Sequence, residues 1–223
     1  MSVANIFFMP DRILCLSDTL TYEYGEEDRP AYLTDRKTYI FGRFAVVARG
    51  NVPACRAVKS AMEDYSTIDS VLRIGHDVHE LILDHKRTEA PTMAVETTIM
   101  GWSDEKGDLV AYRWEMPRGQ DRVTFRELPR GMYLGPSFLT SSPPMPPDMD
   151  DARMVKVALA QHATAQKLGA NMCIGGVMHT TEITADRIMQ RIVGTYPDYD
   201  NHAAAFGCPN AEEVRRFREE VSK

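Results

Sequence analysis

The first stretch of the chain, Ser2 to Asp18, constrains the fold more than any other, because it places a β-hairpin at the start of the sequence. Val3 to Phe8 is a short apolar run, residues 9–12 have turn chemistry, and Ile13 to Ser17 is a second apolar run. Chain starts are normally frayed and exposed. Here we expect the opening strand to be part of the core, with the hairpin folding Asp18 back towards Ser2.

This arrangement makes Ser2 a candidate nucleophile. If Met1 is removed, the Ser2 hydroxyl carries its own α-amine, which has a pKa of about 7.7–8.0 and can act as an adjacent general base. Asp18 could support this pair, and Arg36 or Lys37, which open the next strand, could bring a cation to the same end. The alternative is structural: serine is a common second residue, and Asp18 would only cap the hairpin. If Met1 is retained, Ser2 has no free amine and the self-base mechanism fails.

Length and composition limit the classes of protein. With 223 residues, 43% apolar and 26% charged, we expect one globular domain spanning residues 1–223. The net charge of −6 and the lack of a basic tract argue against nucleic-acid binding. No apolar run is long enough for a membrane span, and no signal-peptide pattern precedes the first strand. The four cysteines have no CxxC spacing, which favours reduced thiols and a cytoplasmic location.

Hydrophobic periodicity predicts the remaining elements. The predicted strands are Thr38–Phe41, Phe44–Ala48, Met93–Trp102, Leu109–Met116, Val123–Leu128, Met132–Leu134 and Cys173–Ile183. The predicted helices are Val52–Tyr65, Asp77–Lys86, Asp150 or Asp151 to Leu168, Asp186–Val193, and a charged terminal helix that Asn210 caps and that runs to Val221. The predicted loops are Thr21–Ala31, Tyr196–Pro209 and residues 141–149, a proline-rich surface connection within the domain.

Two antiparallel sheets packed face to face, with helices outside both, would bury all the apolar stripes of these elements. The adjacent Gly175 and Gly176 before the late strand indicate a close backbone approach or an irregular φ.

Three short segments together carry a resemblance to a known family. They are the hairpin ending in Leu16-Ser17-Asp18, then Thr34-Asp35-Arg36-Lys37 leading into Phe44–Gly50 and a helix, and Ile174-Gly175-Gly176-Val177. In this order the chain resembles the proteasome-subunit type of N-terminal nucleophile (Ntn) hydrolase. The resemblance implies an α+β fold, a four-layer αββα sandwich of two mainly antiparallel sheets flanked by helices.

The resemblance also implies roles for single residues. It puts Ser2 at the place of the nucleophile, Asp18 at that of the supporting aspartate, and Lys37 or Arg36 near that of the catalytic lysine. The implied activity is hydrolysis of amide or peptide bonds, without a cofactor or a metal, by a protein that forms a homo-oligomer.

The chain departs from this family at the second half of the site. Where active proteasome subunits have an Asp and then a Ser before the late double glycine, this chain has Asn171 and Ile174. No Ser-Gly-Gly sequence follows the strand meander, and residues 135–137 read Gly-Pro-Ser. These departures favour a second hypothesis, a non-catalytic assembly or scaffold subunit with the same fold. A third is a small-ligand binding domain that uses a cleft between the sheets.

Other patterns favour structural roles. His76 and His79 have the spacing of one helical turn, but no further metal ligands accompany them, so we expect surface histidines. His179 lies in a predicted strand, where a hydrogen-bonded sheet histidine is expected. No glycine-rich phosphate loop and no GxSxG elbow occurs.

Overall fold

The structure, a computed structural model, describes residues 2–22, 30–89, 94–137, 145–168 and 174–222. In chain order the strands are β1 (Ala4–Phe8), β2 (Ile13–Ser17), β3 (Leu20–Tyr22), β4 (Pro30–Leu33), β5 (Thr38–Phe41), β6 (Phe44–Gly50), β7 (Val95–Ser103), β8 (Asp108–Met116), β9 (Thr124–Glu127), β10 (Gly131–Tyr133), β11 (Val177–Ile183) and β12 (Ile188–Thr195). The helices are α1 (Val52–Met62), α2 (Ile68–Arg73), α3 (Gly75–Glu89), α4 (Asp151–Lys167), α5 (Tyr199–Phe206) and α6 (Ala211–Val221).

The opening hairpin is confirmed and lies inside a five-stranded sheet. The strand order is β10-β1-β2-β11-β12, and every pairing is antiparallel. All residues of β1 and β2 are buried. The register pairs Ala4 with Ser17, so the residues just before β1 and just after β2 lie side by side.

A second five-stranded antiparallel sheet has the order β5-β6-β7-β8-β9, and β3 and β4 form a separate two-stranded ribbon. Side chains alternate along these strands as the sequence predicts. On β8, Val110, Tyr112 and Trp114 belong to one buried cluster, while Leu109 and Ala111 belong to another. Each face of this sheet is therefore covered.

The buried clusters show what packs on each face. One cluster joins side chains of both sheets, including Ile6, Ile13 and Cys15 of the first sheet and Ala45, Val47 and Met100 of the second. On the other face of the second sheet, Phe44 and Ile99 pack with Val58, Val71 and Ile82 of helices α1, α2 and α3. On the other face of the first sheet, Phe7, Leu14 and Leu16 pack with Met154 and Ala158 of α4.

The chain segment after β11 differs from the prediction. The predicted helix over 186–193 is wrong: Ile188–Thr195 is strand β12, which forms an antiparallel hairpin with β11. Its residues are all half-buried, and pairing with β11 outweighs the local helical spacing of its apolar residues. The loop predicted over Tyr196–Pro209 contains helix α5. Helix α2 between α1 and α3 was also not predicted.

The remaining predictions fall partly on residues that the structure does not describe. Of the proline-rich connection, residues 141–144 lie outside the described residues, and residues 145–149 contain neither helix nor strand. Cys15, Cys55 and Cys208 are free thiols, and Cys173 lies outside the described residues. Within the described ranges, no helix combines the length and the apolar character needed to cross a membrane.

Candidate functional site

The hairpin register brings Asp18 next to the start of β1. The Val3 backbone N–H donates to Asp18 Oδ1 over 3.0 Å, which fixes the residue after Ser2 against the carboxylate. Asp18 is fully buried and Val3 is nearly so. The sequence prediction that Asp18 folds back towards the chain start is therefore what the structure shows.

Lys37 completes the group. Its Nζ lies 2.7 Å from Ser2 Oγ and 2.9 Å from Asp18 Oδ1, and it also donates to the Leu20 carbonyl oxygen. An ammonium group has three N–H donors, so these acceptors occupy all of them. Lys37 is 9% exposed, which leaves its charge in a largely dry environment. A serine oxygen that faces such a cation is stabilised in its alkoxide form.

From the sequence, either Lys37 or Arg36 could supply the cation near Ser2. In the structure their side chains have different partners. Lys37 points towards Ser2, whereas the Arg36 guanidinium binds Asp35 Oδ2 at 2.8 Å and Gln190 Oε1 at 2.9 Å.

The Asp18 carboxylate is held by opposing electrostatic effects. Burial raises its pKa, and the charge and hydrogen bond of Lys37 act against that rise. Backbone N–H groups also favour the charged form: Val3 donates to Oδ1, and Gly175 donates to Oδ2 over 3.3 Å. A buried carboxylate with these donors can hold the Lys37 ammonium in place.

The double glycine is the second support of Asp18. The Gly175 carbonyl oxygen accepts hydrogen bonds from the N–H groups of Thr19 and Leu20, at 3.3 and 3.1 Å. Thr19 Oγ1 in turn accepts from the Val177 N–H at 2.9 Å, and Gly176 has φ of +81°. The expected close approach and irregular φ are thus confirmed. The sequence did not predict a role for Thr19, whose only local signal is its place directly after Asp18.

The structure describes two of the three places at which the sequence departs from the pattern of active proteasome subunits: Ile174 and the Gly-Pro-Ser segment. Ile174 is 3% exposed and packs in the apolar cluster below the first sheet, so no hydroxyl stands there. Asn171 lies outside the described residues. The Gly135 carbonyl oxygen accepts from the Ala4 N–H at 2.8 Å, which places the Gly-Pro-Ser segment beside the start of β1. Pro136 has no N–H, so it cannot donate a hydrogen bond there.

Two buried amides that the sequence did not reveal hold this segment. Asn5 Oδ1 accepts from the Gly135 N–H at 3.1 Å, and Gln161 of α4 donates to the Pro136 carbonyl oxygen at 2.7 Å. The Asn5 and Gln161 side chains also bind each other, at 2.6 and 3.1 Å. Isolated amides on apolar elements carry no sequence signal, because only their partners in other elements reveal a role.

A polar group formed by His162 of α4, His202 of α5 and Asp198, which directly precedes α5, lies next to Gly175. His162 Nε2 lies 3.1 Å from Asp198 Oδ2, and His202 Nδ1 lies 3.7 Å from Asp198 Oδ1. A Cβ placed on Gly175 would come within 3.4 Å of Asp198 Oδ1. Across the described residues, no group of three or more His, Cys, Asp or Glu side chains is arranged to hold a metal ion.

Comparisons with known proteins bear on the fold. No family model and no curated protein matches the sequence. Solved structures of Anbu share its architecture. Anbu from Hyphomicrobium sp. strain MC1 superposes with a TM-score of 0.54 at 15% identity, over 99% of this chain and 97% of that chain. A (Gly-1) mutant of the same protein gives 0.52 at 13% identity, over 100% of both chains.

Anbu (ancestral beta-subunit) from Yersinia bercovieri superposes with a TM-score of 0.57 at 11% identity, over 91% of this chain and 90% of that chain. The chain therefore has a proteasome-like fold, built from antiparallel sheets and helices. The Anbu proteins are among its structural neighbours, and the likeness to them is one of fold.

Proposed function

We propose that the protein is a proteasome-like Ntn hydrolase that cleaves amide or peptide bonds with Ser2 as its nucleophile. The observation that carries the proposal is the 2.7 Å contact between Ser2 Oγ and Lys37 Nζ, with Asp18 binding both Lys37 and the Val3 N–H. The clusters that cover both faces of each sheet support the finer proposal that the fold is a four-layer αββα sandwich.

The reaction would follow the chemistry of an activated hydroxyl. Ser2 Oγ attacks the carbonyl carbon of the scissile amide, and its proton passes to the α-amine of the same residue. The tetrahedral intermediate collapses, the C–N bond breaks, and the leaving amine takes up that proton. Water then hydrolyses the Ser2 ester, which releases the acid and restores the hydroxyl.

In this proposal Lys37, and not Arg36, supplies the cation. Lys37 holds the Ser2 oxygen in place and stabilises the negative charge that develops on it as the proton leaves. Asp18 is a positioning residue, because it binds the lysine rather than the reacting atoms. Arg36 binds Asp35 and Gln190, which supports a structural role.

The test begins with the chemical identity of the first residue in untagged protein, by intact mass and N-terminal sequencing. We expect Ser2 to be the first residue, and the wild type to hydrolyse fluorogenic peptide amides. The Ser2→Ala and Lys37→Met variants should each lose at least about a hundredfold in kcat/KM. Ser60→Ala, at an exposed serine of α1, is the matched control and should keep full activity. Full retention of Met1, or activity that survives Ser2→Ala, would contradict the proposal.

A second candidate function is a non-catalytic assembly subunit, and the observation that favours it is Ile174. Its buried aliphatic side chain stands where the family places a hydroxyl, so the polar support on that side is missing. Both candidates include assembly into a homo-oligomer. Multi-angle light scattering of the wild type and Ser2→Ala tests this point: a monomer in both would contradict assembly. An oligomer that hydrolyses no amide and forms no Ser2 adduct with an acylating β-lactone would favour the scaffold.

A further inference from the structure

Two further cations, Arg56 and Lys59 of helix α1, lie near the part of the site that contains Lys37. Lys37 directly precedes β5, and Tyr39 is the second residue of that strand. Helix α1 packs against this strand: Lys59 Nζ lies 4.6 Å from the centroid of the Tyr39 ring. Burial raises the pKa of the Cys55 thiol to about 12, and the nearby charge of Lys37 opposes this rise. The nucleophile's lysine and the first turns of α1 are therefore electrostatic neighbours.

Arg56 of α1 contacts the two-stranded ribbon of β3 and β4. Its Nη2 donates to the hydroxyl of Tyr32, at 3.3 Å. Tyr32 lies on β4 opposite Thr21 of β3, and Leu20, the first residue of β3, accepts from Lys37. Lys37, the partner of Ser2, therefore contacts the ribbon of β3 and β4 through Leu20, and Arg56 of α1 contacts the same ribbon through Tyr32. We call Arg56 and Lys59, with the rings of Tyr32 and Tyr39 beside them, the cationic rim.

Among the described residues, three of the four cations of this region have a carboxylate partner and the fourth does not. Lys37 binds Asp18, Arg36 binds Asp35, and Lys59 binds Glu63 of its own helix at 3.1 Å. Arg56 differs from these three cations. Within the ranges that the structure describes, its polar partner is the neutral hydroxyl of Tyr32 and no carboxylate forms an ion pair with it. Its guanidinium is exposed and presents unused donors in a planar fork that suits a carboxylate.

We propose that the cationic rim binds the carboxylate of an acidic side chain on the acyl side of the scissile amide, with Arg56 as the main specificity-determining residue and Lys59 in support. This inference rests on the proposed function, since it names the substrate class of the same site. The preferred substrate is a peptide with Glu or Asp at the cleaved position. The flanking tyrosine rings would pack against the aliphatic part of that side chain.

Binding can be measured without turnover. The full-length Ser2→Ala protein keeps the cationic rim, so it can be titrated with fluorescein-labelled peptide amides that end in Glu or in the isosteric but uncharged Gln. At low ionic strength, anisotropy should show the Glu peptide binding roughly fivefold to tenfold more tightly than the Gln peptide. An added Arg56→Gln substitution should abolish this difference. Arg118→Gln, which removes the same charge from an exposed position after β8, should leave it unchanged.

The outcomes separate this inference from the proposed function. Equal binding of the two peptides by Ser2→Ala, or a preference that survives Arg56→Gln, overturns the acidic specificity whether or not the wild type is an enzyme. Conversely, a preference for Glu in binding together with no hydrolysis by the wild type would overturn the catalytic proposal and leave the rim as a binding site for acidic peptides. In an active wild type, Arg56→Glu should shift the kcat/KM preference from Glu towards Arg peptides.

Discussion

Gly176 shows how much of the site depends on a single missing side chain. Its φ of +81° lies in the region that L residues with a Cβ rarely adopt. A Cβ at this position would also collide with Thr19 Oγ1, the atom that accepts the Val177 N–H. The residue therefore lets β11 approach the segment that carries Asp18.

A Gly176→Ala substitution should lower the free energy of unfolding by about 2–5 kcal/mol, from backbone strain and the collision together. Gly107→Ala is the matched control. Gly107 also has a positive φ, of +60°, but a Cβ there would meet nothing within 4 Å, so the strain of about 1 kcal/mol acts alone. Urea denaturation measures both, and an equal loss in the two variants would show that the close approach contributes nothing.

At the scale of elements, the side chain of Asn210, which directly precedes α6, connects this helix to the site by hydrogen bonds. The sequence predicts that Asn210 caps this helix, but its side chain makes no cap hydrogen bond. Instead, its amide donates to the Asp35 carbonyl oxygen at 2.6 Å and lies 3.0 Å from His179 Nε2. Asp35 lies two residues before Lys37, so this amide links α6, β11 and the segment that carries the cation.

This link predicts a dependence on pH. Burial lowers the pKa of His179 from 6.5 to about 4, helped by the charge of Arg36. Between these values the unfolded chain binds a proton that the folded chain does not, so the free energy of unfolding falls as the pH falls from 6.5 to 4. The full effect is roughly 3 kcal/mol, present above pH 6.5 and lost near pH 4.

Urea titrations at a series of pH values can isolate this effect. His179→Gln should reduce the loss of stability between pH 6.5 and 4, because glutamine does not titrate. His76→Gln, which removes an imidazole from an exposed position of α3, is the control. If His179→Gln and the wild type lose stability in parallel over this range, His179 does not have the lowered pKa.

At the scale of the whole molecule, a cluster of charged side chains lies where the two sheets meet. Arg49 of β6 binds Glu96 of β7 in a bidentate manner, at 2.9 and 2.6 Å, and Arg113 of β8 lies 3.4 Å from the same carboxylate. The Arg113 guanidinium also lies 5.6 Å from the ring centroid of Tyr133, in the other sheet. Burial favours the neutral form of Glu96, yet the two arginines lower its pKa overall.

Glu96→Gln should therefore destabilise the protein by about 3 kcal/mol, because it leaves the buried Arg113 and the half-buried Arg49 without this carboxylate. Glu115→Gln is the control: Glu115 pairs with Glu96 in the sheet register but is 34% exposed, and its loss should cost less than about 1 kcal/mol. Thermal and urea unfolding of both variants give the comparison. A Glu96→Gln protein as stable as the control would mean that water or a shift of the sheets compensates the arginines.

The sequence by itself was enough to predict the elements whose signal is local. The hairpin β1–β2, the strands β7 and β8 and the helices α1, α3 and α4 follow from apolar periodicity, which acts within one element and its immediate neighbours. The same patterns predicted antiparallel sheets, and the comparisons with Anbu structures agree with a proteasome-like fold. Within the candidate site, the sequence also led to Ser2 and Asp18, because the hairpin places both at the same end.

Only the tertiary structure decided the features that depend on partners far along the chain. Ile188–Thr195 is a strand because β11 pairs with it, although its own spacing allows a helix. Lys37 rather than Arg36 meets Ser2 because Asp18 and Leu20 also bind Lys37, whereas Arg36 binds Asp35 and Gln190. Asn5 and Gln161 bind each other across 156 positions. The physical reason is common to all of these: periodicity shows which face of an element is buried, whereas long-range packing determines which side chains meet on that face.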